Sequence, residues 1–148
     1  MAAFTIRKAD KGDIPSLAAL GTALNAYHDD NMQLSAEALE ADWNWIEAFV
    51  VETDEPRIVG FASGFNTYQF HVTKRGYEIQ NLHVDEDYRR QGAAKALLTH
   101  ILEVKRAQGV RKFALSVSSK NEKARAFYKA FGFKENEMKG FLRCKIEE

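Results

Sequence analysis

What this sequence does not contain narrows its chemistry before any motif is read. A lone cysteine, Cys144, in 148 residues excludes an intrachain disulfide and fits a reducing compartment, so a cytoplasmic location is expected. Lys plus Arg equals Asp plus Glu at 21 each. No net field therefore recruits nucleic acid or an anionic membrane surface. No apolar run reaches transmembrane length. The N-terminal Phe4-Thr5-Ile6-Arg7 alternates like a strand instead of opening a signal peptide. The four histidines, His28, His71, His83 and His100, have no ligand spacing with the cysteine or with one another, and no metal is expected. Repeats, low-complexity tracts and linkers are missing too, so residues 1–148 are expected to form one domain. Two phosphate motifs are also absent. A P-loop needs Gly-Lys-Ser/Thr, and Gly92-Ala93-Ala94-Lys95 lacks both the spacing and the hydroxyl. The dinucleotide pattern Gly-x-Gly-x-x-Gly does not occur.

What is present is an alternation of strand and helix signals. Phe4–Lys8 reads as a first strand. Asp13 is a plausible N-cap with Pro15 in the first turn of a helix carrying Ile14, Leu17, Ala18, Leu20 and Leu24 to about Tyr27. Ser35 opens a second, shorter helix. Phe49–Val51 and Ile58–Ala62 read as a hairpin about the turn Asp54-Glu55-Pro56, and Lys74-Arg75-Gly76 as a turn before a strand over Tyr77–Val84. Ala94, Leu97, Leu98, Ile101 and Val104 make one helical stripe ended by Gly109. Phe113–Val117 is a short strand. Ser119-x-x-Glu122 has capping-box spacing for a helix bearing Ala124, Phe127, Tyr128 and Phe131, and Gly140–Ile146 reads as a closing strand. The order β-α-α-β-β-β-α-β-α-β-β predicts a mixed α/β sheet of about seven strands flanked by about four helices.

Arg89-Arg90-Gln91-Gly92-Ala93-Ala94 carries the most information. It joins the Tyr77–Val84 strand to the start of a helix. Unpaired N–H groups at the positive end of the helix dipole suit a pyrophosphate. Gly92 and the alanines let phosphates approach the main chain, and the arginines add positive charge. The pattern Arg/Gln-x-x-Gly-x-Gly/Ala resembles the acetyl-CoA loop of the GNAT N-acetyltransferases. Downstream, Asn121-x-x-Ala124-x-x-Phe127-Tyr128-x-x-x-Gly132-Phe133 resembles the second signature of that family, in family order. The resemblance implies a GNAT-type, mostly antiparallel sheet splayed between its fourth and fifth strands. It implies that Arg89, Arg90, Gln91, Gly92, Ala93, Ala94 and Lys95 hold the acetyl-CoA pyrophosphate. Leu82, His83 and Val84 would pair with the pantetheine arm, and Asn121, Ala124 and Tyr128 would also touch the cofactor. It implies a homodimer as well.

Acetyl transfer to an amine expels a thiolate, which benefits from a proton donor. Tyr128 stands at the family's general-acid position, against the alternative of a ring packed beside Phe127 and Phe131. The attacking amine must also lose a proton. Alternation places Glu78, Gln80, Leu82 and Val84 on one strand face and His83 on the other. Glu78 falls where the histone acetyltransferase branch has its catalytic glutamate, and is the candidate base. Gln80 falls where the spermidine/spermine branch has a substrate-binding glutamate, and it is no base.

Outside the two signatures the chain is loosely similar to that spermidine/spermine branch and its thialysine and diamine relatives. The similarity implies a cationic small-molecule amine held by Tyr27, Asp29, Asp30, Tyr68 and Gln80. Two other readings stay open: a protein or peptide N-acetyltransferase, and a non-catalytic acyl-CoA-binding regulator. The aromatics Trp43, Trp45, Phe65, Tyr68 and Phe70 read first as ordinary core, and fit a pocket, a peptide groove or a dimer contact alike.

Overall fold

The computed structural model describes residues 3–135 and 144–146. The chain falls into two compact units, Met1–Ser116 and Val117–Glu148. In the first unit β1 (Phe4–Lys8), β2 (Glu47–Thr53), β3 (Ile58–Gln69), β4 (Lys74–Val84) and β5 (Lys112–Leu115) form one sheet, in that spatial order. The first four strands are antiparallel to their neighbours, and β5 joins β4 in parallel. The mixed, mostly antiparallel α/β architecture is the one expected, with five strands among the described residues. Most of the expected closing strand, Gly140–Ile146, lies outside them, and Cys144–Ile146 has no regular structure.

The helices of the first unit are α1 (Ile14–Tyr27), α2 (Ala36–Ala41) and α3 (Ala93–Ala107). Asp13 precedes α1 as expected, yet its side chain makes no cap. Its carboxylate instead accepts from Arg7 Nη1 at 2.7 Å, from Arg7 Nη2 at 2.9 Å and from the Asp10 N–H at 2.9 Å. This charge-assisted pairing holds the carboxyl below its ordinary range. Ser35 does cap α2, accepting from the Ala38 N–H at 3.2 Å. The turn expected at Lys74–Gly76 belongs to β4. The chain reverses earlier, in a single 3₁₀ turn over Phe70–Val72 followed by Thr73 at φ 49°. Among the described residues, no helix is long and apolar enough to cross a membrane.

The two faces of the sheet are covered differently. Leu17 and Leu20 of α1 pack on Ala48, Val50 and Phe61, with Leu39, Trp43 and Ile46 at the margin. On the opposite face Leu97, Leu98 and Ile101 of α3 are completely buried. Each such side chain contributes roughly 1.5–3 kcal/mol of apolar burial. Two stripe positions of α3 shift: Ala93 and Lys105 are buried, where the periodicity favoured Ala94 and Val104. The Lys105 ammonium lies 4.3 Å from the Tyr77 ring centre, donates to Asn66 Oδ1 at 3.0 Å and pairs with Glu47.

In the second unit α4 (Glu122–Phe131) is capped by Asn121 rather than Ser119. Asn121 Oδ1 accepts from the Ala124 N–H at 3.1 Å. Tyr128 lies 5.4 Å from Phe127 and 5.9 Å from Phe133, centre to centre.

Candidate functional site

The site is built on the irregular end of β4. Strand β5 pairs with β4 only from Gly76–Lys112 to Ile79–Leu115, while β4 runs on to Val84. From Gln80 onward the edge of β4 that β5 covered is therefore released by β5. Backbone direction follows from the ladder with β3. The Asp85 N–H donates to Val59 O at 2.7 Å, and the register pairs His83 with Phe61. Alternation of an antiparallel ladder then turns the N–H and C=O of Leu82 and Val84 to the released edge. There the Val84 C=O is already taken by Arg89 Nε, and the other three groups are unspent among the described residues. A strand edge with unspent groups recruits an extended ligand as a neighbouring strand.

Regular alternation fails one residue earlier. Ser63 pairs with Asn81 and Gly64 with Ile79, so Gln80 is an extra, unpaired residue, a β-bulge. The expectation that Glu78, Gln80, Leu82 and Val84 share a face is thereby corrected. Glu78 opposes Phe65 and His83 opposes Phe61, whose ring belongs to the α1-side core. Val84 opposes Gly60, and Tyr77 faces Lys105 of α3. Glu78 and His83 thus face α1, whereas Leu82 and Val84 face α3. Gly64 makes the crossing possible: a Cβ there would lie 2.8 Å from the Tyr77 hydroxyl and would collide with Glu78 O. Burial and the charge of Glu47 raise the Tyr77 phenol.

The loop after β4 presents the α3 N-terminus. Asp85 Oδ1 accepts from the Asp87 N–H at 3.0 Å, and Gln91 Nε2 donates to Asp87 O at 3.1 Å. Arg90 sits at φ 62° and Gly92 at φ 84°, a conformation that favours glycine at the second position. No side chain caps α3, and Ala96 is the first N–H to bond inward, to Gly92 O at 2.9 Å. The N–H groups of Ala93, Ala94 and Lys95 thus precede the first intrahelical bond. The side chain of Arg89 is occupied elsewhere. Its Nε donates to Val84 O at 3.0 Å, and its guanidinium stacks 5.1 Å from the centre of the Tyr27 ring. It therefore fixes the end of β4 to the end of α1.

His83 is buried beside Arg89, Asp85 and His28. Burial first, then the Arg89 charge, lowers its pKa, so the ring stays neutral. Glu78 is half-buried and makes no side-chain hydrogen bond or ion pair among the described residues.

A cavity of about 330 Å³ opens on the α1 face. Its apolar wall includes Leu24, Leu34, Leu39, Trp43, Trp45 and Phe61. Its polar wall is Asn25, Glu47, Ser63, Gln80 and Asn81. Of the expected acceptor-binding residues, only Gln80 reaches this wall. Asp29 and Asp30 are exposed at the end of α1, where Asp30 Oδ1 accepts from the Met32 N–H at 2.9 Å. Tyr68 is exposed on β3. Asn25, Asn81 and the two tryptophans were not assigned to the site from sequence. The Trp-x-Trp pair was the only signal, and it fitted several roles equally.

Tyr128, on α4, keeps its phenolic proton more firmly than usual because burial raises its pKa. It would hold that proton at neutral pH and yield it only to a strong base.

The profile of the Acetyltransferase (GNAT) family matches residues 18–133. The chain belongs to that family. An uncharacterized N-acetyltransferase of Methanocaldococcus jannaschii is 30% identical over 95% of this chain. The chain spans 65% of that relative's length, just under two thirds. The thialysine N-epsilon-acetyltransferase of Bos taurus is 28% identical over 89% of the chain and 85% of its own length. Among solved structures, an aminoglycoside N-acetyltransferase in complex with CoA superposes with a TM-score of 0.80, covering 99% of this chain and 97% of that one, at 21% identity. At that identity the match establishes the fold. Membership of that family makes the chain an acetyltransferase.

Proposed function

We propose that this GNAT enzyme moves the acetyl group of acetyl-CoA directly to the primary amine of a small molecule. The observation that carries the reading is the pairing of a released β4 edge at Leu82–Val84 with an uncapped α3 start at Gly92. One offers strand-like hydrogen bonds to an amide-bearing arm, and the other offers N–H groups to a diphosphate. The residues present therefore fit CoA. Gly92 leaves the approach open, since a Cβ there would meet no atom within 4 Å.

Bound acetyl-CoA supplies the acetyl group as a thioester. The Leu82 N–H, turned to the released edge, would donate to the carbonyl oxygen of a bound thioester. Glu78, on the α1 face, accepts the proton that the amine must lose before it attacks. The family signature Tyr128 carries assigns it the phenolic proton that a departing thiolate would need. The buried, neutral-favouring setting of that phenol supports this role. The backbone of Leu82 and Val84 and the turn from Arg90 to Lys95 position the cofactor. The His83 backbone, expected to join them, is turned to Phe61 of β3 instead, and Asn121 and Ala124 set the start of α4.

Tyr128→Phe tests the assignment. Turnover is expected to fall about a hundredfold, with acetyl-CoA binding by calorimetry unchanged. Unaltered turnover would remove Tyr128 from the reaction. Absence of acetyl-CoA binding by the wild-type protein would remove the proposal.

A further inference from the structure

The cavity on the α1 face has an unusual balance of chemistry for a family that acts on amines. Its wall is largely hydrocarbon and indole, and its polar groups are neutral amides and a hydroxyl. Asn81 Nδ2 already donates to Ser63 Oγ at 3.2 Å, and Asn25 Nδ2 to Met32 O at 3.0 Å. Glu47 also lines the cavity, but its place opposite Gly64 sets its carboxylate on the α3 face of the sheet. Its charge is already spent: Lys105, itself completely buried, pairs with one oxygen, and Lys8 Nζ lies 3.9 Å from the other. Asp29 and Asp30 are not on the wall at all.

We infer that the acceptor is a monoamine with an apolar or aromatic body, and that di- and polyamines are discriminated against. This deepens the proposed acetyl transfer and rests on it. The physical reason is desolvation. Glu78 is not itself on the wall but lies on the same α1 face of β4, two residues before Gln80. An acceptor with one amine turns that amine toward it and leaves hydrocarbon against Leu39, Trp43 and Trp45, where removal from water is favourable. A second ammonium some carbons away would be buried against the same surface with no free carboxylate to meet it. The exposed indole of Trp45 attracts an ammonium only weakly while water covers it. Specificity of this kind comes from what the wall withholds as much as from what it offers.

The molecule contains its own reporter. Its two tryptophans, Trp43 and Trp45, both lie on this wall, so intrinsic fluorescence reads occupancy without requiring turnover. The test titrates phenethylamine, hexylamine, putrescine and spermidine against the intact protein saturated with CoA, following fluorescence, and measures thiol release from acetyl-CoA with each amine. Phenethylamine and hexylamine are expected to change the fluorescence, with kcat/KM at least tenfold above that of spermidine. Trp45→Ala, at a largely exposed position, is expected to raise KM for phenethylamine severalfold while acetyl-CoA binding stays the same. Asp29→Asn with Asp30→Asn is expected to leave both unchanged. Equal or better kcat/KM with putrescine or spermidine overturns the inference. Loss of amine binding in the Asp29/Asp30 variant overturns it too. A fluorescence change with phenethylamine but no thiol release with any amine would uphold the cavity's selectivity and defeat the proposed acetyl transfer instead.

Discussion

The α3 face and the α1 face of the sheet are made from the same five strands and end up as opposites. Under α3, Leu97, Leu98 and Ile101 are fully buried, and even a lysine is buried with its carboxylate partner. Under α1, a comparable set of leucines and aromatics stops short and leaves a cavity. A face that closes spends its side chains on each other. A face that stays open keeps apolar surface and neutral amides available for a ligand, at a cost in packing. The bulge at Gln80 is where the two faces exchange residues along β4.

The sharpest way to break the closed face is to orphan its charge. Glu47→Ala leaves the Lys105 ammonium buried without its partner and is expected to cost about 3–5 kcal/mol in chemical denaturation. Pairing Lys105→Met with Glu47→Gln should recover most of that loss. Full stability in Glu47→Ala would show that the ion pair is not a condition of closure.

A smaller effect measures the packing contrast directly. Leu98→Ala on the closed face is expected to cost about 2–5 kcal/mol. Leu39→Ala, half-buried at the cavity margin, is expected to cost about 1 kcal/mol. Equal losses would mean that the α1 face is as tightly packed as the other. The smallest effect concerns acid. His83 faces α1 among Arg89, Asp85 and His28, with its pKa held below the ordinary value near 6.5. Unfolding frees it to bind a proton that the folded site refuses. Stability should therefore fall as pH drops below about 6.5 and level off under the folded pKa. His83→Gln should flatten that limb when denaturation midpoints are compared at pH 5 and pH 8. An unchanged limb would assign the acid sensitivity to other groups.

Much of the fold was legible because it depends on local chemistry. The stripe of Leu97, Leu98 and Ile101 announced a helix with one buried face, and Gly92 with its two alanines announced the small-residue turn that opens it. The Ser35 cap was readable for the same reason: donor and acceptor are three residues apart. The errors arose where a partner is distant. Asp13 looked like a cap until Arg7 claimed its carboxylate. Lys105, on which the helical pattern was silent, is met under α3 by Glu47, 58 residues earlier in sequence. The face of Glu78 was misread because period-two counting assumes a regular pleat, and the bulge inserts one residue.

By itself, then, the sequence determined the order of elements, the turn at Gly92 and the two signatures that mark a GNAT acetyltransferase, because each depends on residues within a few positions of one another. Only the tertiary structure decided which face Glu78 shares, where Lys105 finds a counter-charge, and that the cavity on the α1 face is lined by indoles and amides. Those outcomes depend on strand register and on packing between segments far apart in the chain, which no local pattern encodes.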